Sequence, residues 1–321
     1  MTPVQVEIAV VGSVNIDLVA SVARLPLPGE TVHALGFEQF VGGKGGNQAV
    51  AAARLGRHVT FVGLTGDDIE GQTVRAALAA EGVDLTHLGT TSTVGTGRAI
   101  VLVGQDAENS IVVVGGANAA LDPAYLTQAA EVLTSAAVVV AQLEVPVETV
   151  LAAAHHAAGT FVLNPAPAQE LPTELLSLVD VLVVNETEYA VVLGRPLPED
   201  LTEVEDHVAA LGLRCAVVVT LGGRGAALCH RGEVVRVPTP SVPVVDTTGA
   251  GDTFIGALAD ALSRHEPAPE ALRWAVHAAS LSVGALGATT GMPTREQVAA
   301  SIAATSGDVA APVPEEVRPP A

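Results

Sequence analysis

Strand-length runs of β-branched residues recur along this chain with alanine-rich, helix-length stretches between them, and this alternation restricts the fold more than any other feature. The clearest apolar runs are 59–64, 137–143, 160–164, 181–185 and 216–220, with a further run at 4–11 interrupted only by Gln5 and Glu7. Helical stretches are expected over 46–56, which ends in a glycine stop, and over 71–81, 146–156, 186–193, 204–211, 249–263 and 270–286. Strands alternating with helices of this length imply βαβ units and a mainly parallel sheet covered by helices on both faces, a three-layer α/β/α sandwich. Two segments break the rhythm. Residues 18–41 hold proline-rich turns and strand-like pieces at 18–21, 31–35 and 37–41, and residues 95–115 read as a hairpin turning at 104–109. Their partly polar alternation predicts a small β lid on the main unit. That unit is expected to span 1–305, and 306–321, rich in Pro, Ala and Glu, is expected to be a disordered tail.

Composition removes several function classes. Hydrophobic residues make up 49% of the 321, enough for a large core, yet no apolar run reaches the ~18–20 residues of a membrane span. A formal net charge of −20 opposes binding to nucleic acid phosphates, which depends on Lys and Arg. The first residues lack a basic segment ahead of a long apolar stretch, so they do not read as a signal peptide, and a cytoplasmic protein is expected. Cys215 and Cys229 are the only cysteines and read as buried thiols; two without a ligand cluster make no zinc site.

The strongest chemical signal is Asp246-Thr247-Thr248-Gly249-Ala250-Gly251-Asp252-Thr253-Phe254. Small residues at a helix start let backbone N–H groups approach an oxyanion, and the helix N-terminus adds orphan donors and a positive dipole end. A carboxylate in the same turn can take a proton from an attacking hydroxyl. In an isolated glycine turn Asp252 would read better as a helix cap; the nine-residue string carries it the other way. The second signal is Gly42-Gly43-Lys44-Gly45-Gly46-Asn47-Gln48-Ala49, open backbone around a lysine that reads both as a lid hinge and as a ligand contact. It is not the phosphate loop GxxxxGK[ST], because Gly45 follows Lys44. The third, Gly12-Ser13-Val14-Asn15-Ile16-Asp17, follows the first strand, where α/β sheets bind ligands, and Asn15 and Asp17 suit sugar hydroxyls. No GxGxxG fingerprint occurs there, which counts against a nicotinamide enzyme. Three further strings also follow strands: Asn164-Pro165-Ala166-Pro167, Asn185-Glu186-Thr187-Glu188 and Thr220-Leu221-Gly222-Gly223-Arg224-Gly225. Asn185 and Glu188 could meet phosphate or hydrated Mg²⁺, though Glu186 and Glu188 would also be favourably placed in the first turn of a helix with no further role; 220–225 could cradle a nucleotide.

Together these strings resemble the ribokinase-like (PfkB) carbohydrate kinases over about residues 5–300, and their order is most similar to the ribokinase branch. The resemblance implies transfer of the ATP γ-phosphoryl group to the 5-hydroxyl of D-ribose, with Asp252 as catalytic base and Gly249, Ala250 and Gly251 as anion hole. Asn15, Asp17, Gly42, Gly43, Lys44, Asn47 and Glu144 would hold the sugar. Asn185, Thr220, Leu221, Gly222, Gly223, Arg224, Gly225 and Gly251 would face ATP. Glu188 would organise Mg²⁺ through water. A monovalent cation, K⁺, would be held by the Asp246 side chain, the Thr248 carbonyl and carbonyls of Ser282, Ala285 and Gly287. Its last position, often serine in the family, falls on Gly291, which has no side-chain oxygen. Gly46 stands where alanine is usual in this branch, a change expected to be minor. The resemblance further implies a homodimer formed through the lid, small-molecule partners only, and no nucleic acid or membrane.

Relatives acting on fructose, 2-keto-3-deoxygluconate or a nucleoside are the competing readings. A nucleoside would need an aromatic platform, but aromatics are 2% of the chain and the lid offers mainly Phe37 and Phe40. A sugar phosphate would need a basic cluster, for which only Arg24 and Arg98 are candidates. A catalytically silent sugar-binding regulator on the same fold is the reading outside enzymes, and the intact base and anion turn count against it.

Overall fold

The computed structural model describes residues 6–306 apart from Ala107; the expected tail lies outside the described residues beyond Ser306. Thirteen strands form two sheets among these residues. They are β1 (Ile8–Val11), β2 (Asn15–Val22), β3 (Ala34–Gly42), β4 (Val59–Gly66), β5 (Asp84–Thr91), β6 (Gly97–Gly104), β7 (Asn109–Val114), β8 (Val138–Gln142), β9 (Thr160–Asn164), β10 (Val181–Asn185), β11 (Ala216–Thr220), β12 (Ala226–His230) and β13 (Glu233–Val237). The large sheet has the order β13-β12-β11-β10-β9-β8-β1-β4-β5, parallel from β5 to β11, with β12 and β13 added antiparallel at one edge.

Alternation along each strand separates two cores. Ala9, Val11, Val139 and Ala141 face a layer that includes helices Val147–His156 and Glu186–Val192. Ile8, Val10, Val138 and Val140 face the other, built on helices Lys44–Arg54, Ala250–Ser263 and Ala268–Ser282. Because β1, β4, β8, β9, β10 and β11 are apolar on both sides, the central parallel part of the sheet is buried between the layers, as its unbroken β-branched runs predict, while β5 at the edge is half-exposed.

The second sheet, β3-β2-β6-β7, is the expected lid. Two details differ from the sequence reading. Residues 34–42 form one continuous strand, where two pieces at 31–35 and 37–41 were expected, and β2 begins at Asn15, directly after the turn that follows β1. The helix expected over 270–286 starts earlier and stops at Ser282, leaving 283–291 as a loop.

Strand order reverses at β1, which has β4 on one side and β8 on the other. Ligands of open α/β sheets bind at such a switch point, outside the carboxyl ends of the strands. Parallel register brings the strand ends level there: Val11 pairs with Ala141, Gln142 with Asn164, and Asn185 with Thr220.

Candidate active site

Asp252 lies in the first turn of helix Ala250–Ser263 and is buried. That helix starts from Gly249, whose φ of 76° is left-handed; a Cβ there would stand 2.3 Å from the Ala288 carbonyl oxygen, so both backbone shape and space demand glycine. Helix Lys44–Arg54 packs closely against it. A Cβ on Gly256 would meet the Gln48 carbonyl oxygen and the Ala51 Cβ, each at 2.6 Å, so the glycine permits an approach that brings Asn47 and Gln48 to the carboxylate. Asn47 Nδ2 donates to Asp252 Oδ2 at 2.9 Å and Gln48 Nε2 donates to Oδ1 at 3.0 Å. Burial pushes the Asp252 carboxyl above the usual range; the positive charge of Lys44 and the two amide donors act against this, and Glu144 adds to it.

The glycine string Gly42–Gly46 is packed rather than loose. Gly43 has a φ of 91°, and a Cβ on it would sit 2.7 Å from Val14 Cα; one on Gly45 would sit 2.7 Å from the Ser13 nitrogen. The string thus docks backbone to backbone on the turn after β1. A methyl on Gly46 would meet Val14 Cγ1 at 3.1 Å, a contact relieved by a small shift. Glu144, just beyond β8, accepts from Ser13 Oγ at 2.5 Å and from the Lys44 backbone N–H at 3.0 Å, pinning the two segments together.

Asp17 lies against Gly42, and burial first, then Glu144 and Asp252, push its carboxyl up to about 6. Asn15 Oδ1 accepts from Asn118 Nδ2 at 2.8 Å, and Asn118 also exchanges hydrogen bonds with the Val14 backbone. Three carboxylates, Asp17, Glu144 and Asp252, therefore lie close enough to act on one another, and Lys44, the only lysine among the 15 Lys and Arg residues of the sequence, brings positive charge to Asp252.

On the other side of Asp252 a cleft of about 190 Å³, lined by Lys44, Asn164, Glu188, Thr220, Gly249 and Gly251 among others, leads toward a wider one of about 710 Å³. Asn185, Thr220, Gly222, Gly223 and Gly225 line the polar wall of the wider cleft. Its apolar wall comes from Val242, Val244, Phe254, Val276 and Val283. Gly251 opens onto both, and a Cβ on it would meet nothing within 4 Å. Leu221 and Arg224 are not among the lining residues: Leu221 packs against the core, and Arg224 pairs with Glu186. Asn185 and Glu188 form a reciprocal cap, Asn185 Oδ1 accepting the Glu188 N–H at 2.8 Å and Glu188 Oε2 accepting the Asn185 N–H at 2.9 Å. Burial raises the Glu188 carboxyl, offset in part by the Asn185 N–H and Lys44.

Of the six positions expected around a monovalent cation, three are tied together. Asp246 accepts from the Gly287 N–H at 2.8 Å and from the Thr248 N–H and Oγ at 2.9 and 2.7 Å. Burial raises this carboxyl, but those donors outweigh it and hold the carboxyl below the usual range. Gly291 packs directly on Ser282, where a Cβ would lie 2.0 Å from the Ser282 carbonyl oxygen. A serine would not fit this backbone, and the Ser282 carbonyl faces Gly291.

Sequence reading gave no role to Ser13 and Gln48 within the strings it singled out, and missed Asn118 and Gln142; the partners of all four lie far along the chain. It also missed residues 239–244 of the apolar cleft wall; their signal is the exposed Val244 and Val245 just before Asp246.

Comparison with known proteins gives the family of the chain. Residues 5–295 match the family model described as pfkB family carbohydrate kinase. The chain is 39% identical over 301 residues to a ribokinase of Haemophilus influenzae, covering 90% of this chain and 96% of that protein. It is 36% identical over 301 residues to a deoxyribokinase of Salmonella typhi, covering 91% and 97%. The structure of Arabidopsis thaliana ribokinase complexed with ribose and ATP superposes with a TM-score of 0.87 at 36% identity, over 93% of this chain and 99% of that one. With a family match across nearly all of its described residues and full-length relatives above 30% identity, the chain belongs to the pfkB family of carbohydrate kinases.

Proposed function

We propose that this ATP-dependent sugar kinase is a ribokinase, transferring the γ-phosphoryl group of ATP to the 5-hydroxyl of D-ribose with Asp252 as base. The observation that carries the reading is the Asp252 carboxylate itself. It is buried at a helix N-terminus, each oxygen held by a side-chain amide, beside a Gly251 backbone open to the cleft. A hydroxyl placed against Asp252 gives up its proton there as it attacks. The N–H groups of Gly249, Ala250 and Gly251, at the positive end of the helix, face the charge that builds on the transferred group; in comparable sites one such donor contributes about 2.7–4 kcal/mol. Asn15, Asp17, Gly42, Gly43, Lys44, Asn47 and Glu144 hold the sugar, and the missing aromatic platform favours a small sugar over a nucleoside. Phe37 is exposed, and Phe40 lies near Gly287. Arg24 pairs with Glu30 and Arg98 with Glu70, so neither offers free charge to a sugar phosphate. The apolar wall suits the adenine of ATP and the glycines of 222–225 its phosphates, which supports a cytoplasmic location.

Glu188 spends Oε2 on its cap, which leaves Oε1 to meet a hydrated Mg²⁺ carried on the ATP phosphates. When bound, Mg²⁺ neutralises phosphate charge. The K⁺ positions fit only in part: Asp246, Thr248 and Gly287 are assembled, while Ser282 and Gly291 close on each other. No helix among the described residues is long and apolar enough to cross a membrane. The outer part of the lid exposes Leu35, Phe37, Ile111, Val112 and Val113, an apolar surface that supports a homodimer through the lid.

ADP release measured with D-ribose, 2-deoxyribose, fructose, 2-keto-3-deoxygluconate and adenosine tests the assignment. D-ribose is expected to give the highest kcat/KM, and replacing K⁺ by tetramethylammonium to lower the rate without abolishing it. A preference for 2-deoxyribose, the substrate class suggested by the deoxyribokinase relative, would move the assignment within the family. A rate wholly dependent on K⁺ would show that the Ser282 carbonyl turns to the cation.

A further inference from the structure

We infer that Gln142 and Gln48 are positioning residues for Asp252, forming an amide relay that starts at the switch point of the sheet and dictates how the base is hydrogen-bonded. The inference rests on the reading of Asp252 as the base and adds two residues to it. Gln142 is the last residue of β8 and fully buried. Its Nε2 donates to Gln48 Oε1 at 2.6 Å, and Gln48 Nε2 donates to Asp252 Oδ1 at 3.0 Å, with a longer contact of 3.5 Å to Asn164 Oδ1. At the far end, Gln142 Oε1 is buried without a donor among the described residues, against Gly12 of the turn after β1. A Cβ on Gly12 would lie 2.0 Å from that oxygen.

The direction of this chain of bonds follows from charge. An ionised carboxylate only accepts, so Gln48 must turn its amino group to Asp252. Its oxygen then faces Gln142, which must in turn present its own amino group. The remaining Gln142 oxygen is left against Gly12, where no donor exists. An unpaired buried acceptor is unfavourable and uncommon, and here it is the consequence of aiming every donor at the base. A neutral, proton-bearing Asp252 would remove the need for this polarity, so the relay favours the ionised form that can accept the sugar proton. The other charged groups around Asp252 divide in sign: Lys44, on the same helix as Gln48, favours the anion, whereas Glu144 after β8, Asp17 in β2 and Glu188 after β10 oppose it. The relay acts with Lys44 against burial and the three carboxylates.

The test uses the full chain with Gln142→Leu and Gln142→Glu, assayed with ATP and D-ribose across pH. Gln142→Leu removes the donor, and kcat is expected to fall roughly 10- to 100-fold, the loss typical of a hydrogen bond that supports a charged group. Sugar affinity measured without ATP is expected to change less than about two-fold, and the acid limb of the kcat profile to move to higher pH as Asp252 holds its proton more tightly. Gln142→Glu keeps the shape, and its buried carboxyl stays protonated and donates to Gln48, so its kcat at neutral pH is expected to recover most of the loss. Wild-type kcat and acid limb in Gln142→Leu would overturn the proposal, as would equal losses in both variants with an unmoved pH profile, the mark of packing alone. If Gln142→Leu fails to fold, the side-chain amides of Gln48 and Gln142 in ¹⁵N-glutamine-labelled wild-type protein decide the matter. Both are expected to be protected from exchange and to shift together on Asp252→Asn; independent behaviour would overturn the relay. Full turnover by Asp252→Asn would overturn it by a distinguishable route, through loss of the base.

Discussion

Asp17 and Asp252 lie close enough to act on each other, both in the company of Glu144, and the two carboxylates are supported very differently. Asp252 receives two side-chain amides and the nearby charge of Lys44. Asp17 is pushed up to about 6 by burial and by the charges of Glu144 and Asp252. A folded-state value above the 3.8 of the unfolded chain means that ionising Asp17 disfavours the empty fold, and that this penalty is absent at low pH and complete once pH has risen through about 6. Asp17→Asn is therefore expected to stabilise the ligand-free protein by up to about 3 kcal/mol near pH 7.5 and by almost nothing near pH 4, while weakening sugar binding. Urea unfolding at the two pH values measures this; an equal effect at both would show that Asp17 is not a strained carboxylate.

At the scale of elements, the strands legible from sequence are those buried on both faces. The structure begins and ends β9, β10 and β11 at the residues their unbroken apolar runs indicate. β5, β12 and β13 carry Asp84, His87, His230, Glu233 and Arg236 within their span, and half-exposed strands of this kind leave only a weak signal. Helix Arg295–Ser306 escaped because its hydrophobic pattern is nearly uniform around its circumference. The glycine strings stood out because backbone approach needs a local run of small residues. Asn118 and Gln142 did not, since their meaning lies in partners 103 and 94 positions away. The same long reach holds the helix of Asp252 in place. Asp260, fully buried eight residues further on, pairs with Arg57 at 3.0 Å, Arg264 at 3.1 Å and Arg295 at 2.7 Å, and Arg264 and Arg295 also lie over the Trp274 ring. Removing the carboxylate takes a shared buried partner from three guanidinium groups, although Arg57 keeps Glu7, Arg264 keeps Glu266 and Arg295 keeps the Leu55 carbonyl, so Asp260→Ala is expected to cost about 3 kcal/mol of stability. Denaturant unfolding checks the value; a change below about 1 kcal/mol would show that solvent readily replaces the ion pairs.

For the whole molecule, function follows from where the sheet changes direction. β1 runs straight into the turn that starts β2, so the small sheet is joined to the large one at the switch point, and Asp17 of β2 lies near Asp252. β8 ends in Gln142, with Glu144 just beyond it beside that turn, while residues at the ends of β9, β10 and β11 line the cleft that leads away from Asp252. On the proposed assignment, sugar and ATP would approach Asp252 from opposite sides, an arrangement that suits in-line transfer with little covalent chemistry required of the protein. Single-turnover phosphorylation of D-ribose by Asp252→Asn, beside sugar binding by calorimetry, tests this account most directly. It predicts that binding is retained and that the chemical step slows by roughly 10²–10⁴-fold, the loss expected of a missing general base. A near-normal rate with intact binding would contradict it and remove Asp252 from the reaction.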